Sequence, residues 1–117
     1  MKHIEESKGI NYQKSEVFCR MLRSAGMDVD YRGVPYSVDA GYKMLMMLAE
    51  EKKLPDGVVF FSDTIAPSFI RAAYELKIRI PEDMSIVSMD NLHCGRFTIP
   101  SLTTMDFCRY DQGRIAL

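Results

Sequence analysis

Residues 55–66 read PDGVVFFSDTIA, and this stretch decides the class of fold. Its Pro-Asp-Gly start ends the preceding helical pattern, and four apolar residues then follow without interruption. A short run of β-branched and aromatic side chains predicts a strand that is buried on both faces, with helices on both sides of its sheet. Asp63 or Thr64 can then cap a helix in which Pro67 falls in the first turn, where its missing N–H is tolerated.

Upstream of this stretch, the sequence predicts two helices with a strand between them. Apolar residues recur at helical spacing from Lys14 onward and again from Gly41 to about Lys53. The intervening residues 28–34 alternate between apolar and polar in the manner of a half-buried strand. Ser37 can N-cap the second helix, and its methionine-rich face is interpreted as core packing rather than as a metal site or a partner groove.

Downstream, the alternation of strand and helix continues. Residues 85–89 indicate a second buried strand, residues 90–100 are irregular, residues 102–105 are strand-like, and a last helix begins near Asp106. Strands and helices that alternate with short connections favour an open parallel α/β sheet with helices on both faces. In such sheets a ligand binds beyond the carboxyl ends of the strands.

The composition fits one soluble domain. The chain has 117 residues, of which 47% are hydrophobic and 26% are charged, so it is long enough for one core and too short for two full domains. Lysine and arginine (15) nearly balance aspartate and glutamate (16), and the basic residues form no cluster, which argues against a nucleic-acid or membrane surface on this part. The sequence contains no stretch typical of a signal peptide or a membrane span.

The cysteines indicate a reduced compartment. Cys19, Cys94 and Cys108 are odd in number and widely spaced, and they form no CxxC pair. We therefore expect a cytoplasmic protein without a disulfide framework. His93 and Cys94 are adjacent, but the sequence offers no second pair of ligands, so a solvated loop is the expected interpretation and no metal site is predicted.

Acidic residues follow each of the three strands of the second half. Asp63, Asp90 and Asp106 therefore converge at one edge of the predicted sheet. Carboxylates accept hydroxyl hydrogen bonds, and an aromatic residue such as Tyr36 can stack on a sugar or a base, so the pattern suits polyol binding. Asp63 and Asp106 can equally cap helices, and we expect capping to be the main role of Asp63. For Asp90 a ligand contact and a structural role both remain open.

Nothing in the sequence predicts catalysis or a cofactor. It lacks the GxSxG nucleophile elbow, and it lacks both GxxxxGK[ST] and GxGxxG, the glycine-rich patterns that bind phosphates. Paired carboxylates could serve acid–base chemistry in a small flavodoxin-like enzyme, but no nucleophile accompanies them. We therefore predict no catalytic residue, no metal and no cofactor.

The second half resembles the lac-repressor/galactose-repressor family of bacterial transcriptional regulators. The resemblance is carried by residues 55–66, by PEDMSIVSMDN at 81–91 and by PSLTTM at 100–105. Gly113 and Ala116 match the family's final LG-x-x-A helix, and all these motifs come in the family's order and spacing. Upstream the resemblance is looser but continuous.

The resemblance implies a periplasmic-binding-protein-like fold of two lobes that close on a small effector, usually a sugar or a nucleobase. Residues 1–117 would form an incomplete C-terminal lobe, which binds effector and forms dimers. The family's N-terminal lobe and its helix-turn-helix head, which alone contacts operator DNA, would lie upstream. No membrane partner is expected.

The resemblance also implies roles for individual residues. Lys14 stands where most relatives have an arginine that holds the effector, and Tyr36 stands where an aromatic residue stacks on it. Ser62 replaces an asparagine that hydrogen bonds the effector, and Asp90 matches the aspartate that grips its hydroxyl or amine groups. Val17 replaces a glycine, and Lys14 lacks the two-pronged donor geometry of arginine, so the effector chemistry is open.

We also expect a two-fold homodimer contact through the helix that follows the first strand of the second half and through the loop near position 97. The predicted contact residues are Ile65, Pro67, Phe69, Phe97 and Thr98.

The leading hypothesis is therefore an effector-sensing and dimerisation domain of a bacterial DNA-binding repressor. The alternative is a solute-binding protein of a sugar transport system, which shares the two-lobed fold. The PED-S-I-V and LTT segments are more typical of the repressors. A sugar, a sugar phosphate or a purine would fit the predicted rim about equally well.

Overall fold

Helices and short strands alternate in residues 10–106 and 108–116, which the computed structural model describes. The chain divides into two units, residues 1–35 and 36–117. Within the described residues, no helix has the length and apolar character needed to cross a bilayer. The elements are α1 (Ile10–Ser24), α2 (Ala40–Glu50), β1 (Gly57–Val59), α3 (Ala66–Glu75), β2 (Ser85–Met89), a 3-10 helix (His93–Phe97), β3 (Thr104–Met105) and α4 (Arg109–Ala116).

The first unit contains the predicted helix α1. It ends at Ser24 and is followed by Gly26, whose positive φ of 82° suits a residue without a Cβ, and the N–H of Met27 donates to the carbonyl of Leu22. The predicted strand at residues 28–34 was wrong, because this stretch forms no strand in the structure. Alternation of side chains is insufficient for a strand, which also needs a neighbouring strand for its backbone hydrogen bonds.

The second unit is built on a parallel sheet, as the sequence predicts. The strand order is β1-β2-β3, and both pairs are parallel. Pairing of β1 with β2 continues past the end of β1, since the N–H of Phe60 donates to Val87 and that of Asp63 to Met89, each at 3.0 Å. The strand ends are therefore held side by side at the carboxyl edge of the sheet.

One face of the sheet carries the core. Phe60, directly after β1, packs edge-on against Phe69 of α3, with ring centroids 5.1 Å apart. Along β2 the burial alternates, with Ile86 and Ser88 buried, whereas Val87 is 42% exposed. The prediction that this strand is buried on both faces was therefore wrong at Val87. The core residues are Leu45, Leu48, Phe60, Ala66, Phe69, Ile70, Ala72, Ala73, Met84 and Ile86.

The methionine-rich face of α2 packs largely as predicted. Leu45 and Leu48 are buried in the core, and Met44 packs against it. Met47, which was assigned to the same face, is 41% exposed instead. Among the described residues, no group of acidic, histidine or cysteine side chains could hold a metal ion.

The predicted side-chain caps do not form. α2 is preceded by Asp39, and the Ser37 hydroxyl donates to the Asp39 carboxylate at 2.9 Å instead of capping the helix. α3 begins beyond both Asp63 and Thr64, whose side chains make other contacts. Pro67 lies in the first turn of α3, as predicted.

The starts of α2 and α3 approach so closely that their backbones are in contact. A Cβ placed on Gly41 would lie 2.2 Å from the carbonyl oxygen of Ile65, so only glycine fits there. The hydroxyl of Ser68 accepts the N–H of Tyr42 at 3.1 Å and donates to the Ile65 carbonyl at 3.2 Å. The Tyr42 hydroxyl also donates to the Glu75 carboxylate, which raises the pKa of Tyr42 and lowers that of Glu75. α2 and α3 are thus held together by a backbone contact and by side-chain hydrogen bonds.

We expect Gly41→Ala to lower the free energy of unfolding by about 1–3 kcal/mol, because the added methyl meets a backbone carbonyl that cannot move without separating the helices. Gly113→Ala is the matched control, since nothing lies within 4 Å of a Cβ at that helical position. Alanine should be neutral or stabilising there by up to about 1 kcal/mol. Urea unfolding of both variants measures the difference, and equal stabilities would contradict the close approach.

Candidate functional site

The carboxyl edge of the sheet collects the polar residues that the sequence places after the strands. Asp63 follows β1, Asp90 and Asn91 follow β2, and Asp106 follows β3. Because the three strands are parallel, these residues lie at one edge. The edge is acidic and rich in hydroxyl groups.

Asp63 is the buried centre of this edge. Its side chain is 0% exposed, and one carboxylate oxygen accepts the N–H of Leu92 at 2.8 Å. The other oxygen accepts the hydroxyl of Thr104 at 2.6 Å. The prediction that Asp63 caps the following helix was therefore wrong. Its carboxylate instead ties the segment that follows β1 to the segment that follows β2 and to β3 itself.

Thr104 extends this network outward. Its hydroxyl oxygen accepts the N–H of Asn91 at 3.1 Å, and the Asn91 side-chain amide donates to Asp106 at 3.2 Å. The second Asp106 oxygen accepts the N–H of Cys108 at 2.8 Å. α4 begins at Arg109 rather than near Asp106, so Asp106 orders the turn before the helix.

Asp90 has an unusual backbone conformation. Its φ is +109°, a region that side chains other than glycine rarely enter, and Asn91 follows with a φ of +52°. The Asp90 N–H donates to the carbonyl of Met105 at 2.9 Å, which fixes the residue to the end of β3. Strained residues of this kind cluster at binding and catalytic sites, where a side chain must be presented in one direction.

A second polar cluster joins the loop before α2 to the loop before α3. The Tyr36 hydroxyl lies 3.0 Å from the Thr64 hydroxyl, and the Ser62 hydroxyl donates to Tyr36 at 3.4 Å. Ser62 also accepts the N–H of Thr64 at 3.3 Å. Tyr36 is 70% exposed, whereas Ser62 is 4% exposed. The Tyr36 ring is thus exposed to solvent, while its hydroxyl group is hydrogen bonded to Ser62 and Thr64.

The structure brings together two of the four predicted effector contacts, Tyr36 and Ser62. Asp90 stands at the end of β2, as predicted, and Lys14 lies half-buried on α1 in the first unit. The hydrogen bonds of the Thr64 and Thr104 hydroxyl groups were not predicted from the sequence. Both residues lie in segments that resemble the repressor family, but no local sequence pattern indicates the partners of their hydroxyl groups.

His93 and Cys94 show no sign of a metal site. Both are exposed, and the Cys94 thiol donates to the Asp63 carbonyl at 3.6 Å. Within residues 10–106 and 108–116, they belong to no group of ligands that could hold an ion.

The predicted dimer residues have different environments. Phe69 is 0% exposed in the core, so it offers no surface to a partner, and that part of the predicted contact was wrong. Ile65 and Pro67 are half-buried, and Thr98 is half-buried with its hydroxyl donating to Gly95 and Pro100. Phe97 is 84% exposed.

The parallel sheet with its polar carboxyl edge defines an open α/β lobe, and comparison with known sequences gives the family. The model of the "Periplasmic binding protein-like domain" family matches residues 9–117. The chain belongs to this family, and the resemblance to the lac-repressor/galactose-repressor type is confirmed by its named relatives.

The sequence is 35% identical over 103 residues to the HTH-type transcriptional repressor PurR of Actinobacillus pleuropneumoniae, covering 85% of this chain and 30% of the relative. It is 33% identical to the ribose operon repressor of Halalkalibacterium halodurans, covering 97% of this chain and 35% of the relative. The chain thus spans about a third of the length of these curated relatives.

Among solved structures, a LacI-family transcriptional regulator from Sanguibacter keddieii superposes with a TM-score of 0.85. The two sequences are 26% identical, and the match covers 97% of this chain and 44% of that one. The predicted fold is therefore confirmed.

We expect Asp63→Asn to lower the free energy of unfolding by about 2 kcal/mol, because the amide brings a donor to a site where both carboxylate oxygens accept. Thr104→Val should also destabilise, since it removes one donor to Asp63 and one acceptor for Asn91. In a double-mutant cycle the two changes should couple by more than about 0.5 kcal/mol. Exposed Asp56→Asn is the control, with an expected change within about 0.5 kcal/mol. Additive effects of the two changes would contradict the network.

Proposed function

We propose that this chain is the effector-sensing and dimerisation lobe of a bacterial DNA-binding transcriptional repressor and that it performs no catalytic step. The relatives at 35% and 33% identity are both named as repressors, which supports a regulator over a transport protein or an enzyme. Operator DNA would be contacted by a helix-turn-helix segment outside these 117 residues, since their charge is balanced.

The observation that carries the effector site is the strained Asp90 at the carboxyl edge of the sheet. Its carboxylate would accept hydrogen bonds from hydroxyl or amine groups of a small polar molecule. The exposed ring of Tyr36, held through its hydroxyl group, would stack on the flat face of a sugar or a base. The resemblance also assigns Lys14 and Ser62 to the site.

Two classes of small molecule, sugars and purines, would fit this site because both carry hydrogen-bond donors beside a ring face. A sugar offers vicinal hydroxyl groups and an apolar ring face, and a purine offers N–H groups and an aromatic face. Both place donors beside a stacking surface, which is what an acidic edge next to a tyrosine recognises. Calorimetric titration with ribose, lactose, hypoxanthine and guanine tests the proposal. Failure of every probe to bind would oppose it.

Asp90 provides the sharpest variant test. Asp90→Gly should raise the free energy of unfolding by about 1 kcal/mol, because glycine removes the strain at a φ of +109°. Asp90→Ala should bring no such gain, because alanine keeps the Cβ. Both variants should lose at least about tenfold in affinity for the bound probe, since both lack the carboxylate.

Asp111→Ala is the control for this test, since Asp111 is exposed on α4 and pairs only loosely with Arg114, at 4.0 Å. Its affinity should match that of the unmodified chain. Unchanged affinity in Asp90→Ala would remove Asp90 from the site, and equal stability of the glycine and alanine variants would refute the strain.

We further propose a homodimer through the exposed side of α3 and the loop after the 3-10 helix, with Ile65, Pro67, Phe97 and Thr98 in the contact. Phe97 and Ile99 are 84% and 91% exposed, and Tyr74 on α3 is 80% exposed. Exposed large apolar side chains on these two segments favour a buried interface.

Phe97→Ser should weaken the dimer at least about tenfold, because aromatic side chains dominate the energy of such contacts. Ile115→Ser is the control, since Ile115 on α4 is 77% exposed and lies outside the proposed interface. Sedimentation velocity over a concentration series measures both. A monomer at all concentrations, or equal effects of the two changes, would refute this interface.

A further inference from the structure

The hydroxyl of Ser62 has no proton left to donate to a ligand. It accepts the N–H of Thr64 at 3.3 Å and donates its single proton to the Tyr36 hydroxyl at 3.4 Å. The side chain is also 4% exposed. Ser62 is therefore buried beside Tyr36 with its proton already used, which disfavours it as the direct donor to an effector at this position.

The hydrogen bonds give the cluster a direction. The Tyr36 oxygen accepts from Ser62 and lies 3.0 Å from the Thr64 oxygen, where either hydroxyl group can be the donor. A phenol is also a stronger acid than an aliphatic alcohol, so it is the better donor of the pair. The chain of hydroxyl groups then runs from Ser62 through Tyr36 to Thr64.

Thr64 stands at the end of this chain. With Tyr36 as the donor, the Thr64 oxygen accepts at 3.0 Å, and within the described residues the Thr64 hydroxyl donates to no other group. The side chain is half-buried, at the rim beside the exposed ring of Tyr36. A hydroxyl that accepts within a chain of hydrogen bonds becomes a better donor, because each bond polarises the next.

We propose that Thr64 supplies the effector-contacting hydroxyl at the end of β1, donating to an oxygen or nitrogen acceptor on the effector, and that Ser62 and Tyr36 position it. This inference rests on the proposed effector-sensing function. It adds a specificity rule to it, since the effector must carry a hydrogen-bond acceptor next to the face that stacks on Tyr36. An analogue with a C–H at that position would be rejected.

The test uses calorimetric titration of the intact chain with whichever of ribose, lactose, hypoxanthine and guanine binds best. Thr64→Val keeps the shape and removes the donor, so the affinity should fall at least about tenfold, whereas Thr64→Ser should retain it. Tyr36→Phe and Ser62→Ala should each cost about threefold, because they disturb only the orientation of Thr64. Ser85→Ala, at the opposite end of β2, is the control and should bind normally.

Two outcomes would overturn the inference while leaving the proposed function intact. One is a normal affinity in Thr64→Val when the unmodified chain binds a probe. The other is a loss in Ser62→Ala as large as that in Thr64→Val, which would restore Ser62 as the direct contact.

A ligand-free measurement tests the hydroxyl chain separately. With ring-¹³C tyrosine, the Tyr36 resonance is assigned by its absence in Tyr36→Phe. Ser62→Ala and Thr64→Val should both shift this resonance in the absence of effector, and Ser85→Ala should not. A resonance that moves in neither variant overturns the positioning roles, whether or not any probe binds.

Discussion

The buried carboxylate of Asp63 is the constraint on which the carboxyl edge of this sheet depends. β1 and β3 are only three and two residues long, so backbone pairing alone fixes their register weakly. A carboxylate enclosed away from water must find donors in the protein, and Asp63 finds one in the segment after β2 and one in β3. The segments after β1 and β2 are thereby held at a defined offset from β3, and Asp90 and Asn91 bond to β3 at that edge.

This arrangement separates the aspartates that build the edge from the one whose backbone is strained. Asp63 and Thr104 use their polar atoms inside the protein, and Asp106 orders the turn before α4. Asp90 instead occupies a costly backbone conformation at the end of β2, with a φ of +109°. Three aspartates that look equivalent along the chain thus have different physical roles.

The sequence predicted the parallel sheet, α1, the core face of α2 and the position of the edge, because these depend on hydrophobic periodicity and on the order of the elements. The sequence-based predictions failed where the structure of a residue depends on partners that are distant in the chain. Residues 28–34 alternate correctly but have no strand to pair with, and Asp63 sits where a cap is expected but bonds to residues 29 and 41 positions away. The path of the Ser62 hydroxyl bonds likewise depends on Tyr36, which is 26 residues distant in the chain. Such long-range choices leave no local pattern to find.

The glycine contact between the starts of α2 and α3 has a mechanical consequence. Tyr36 stands just before α2, and at Gly41 that helix is clamped against the carbonyl of Ile65 with no space for the two to slide. The two helix starts therefore move together or not at all, and the loops before α2 and α3 keep a fixed spacing at this point.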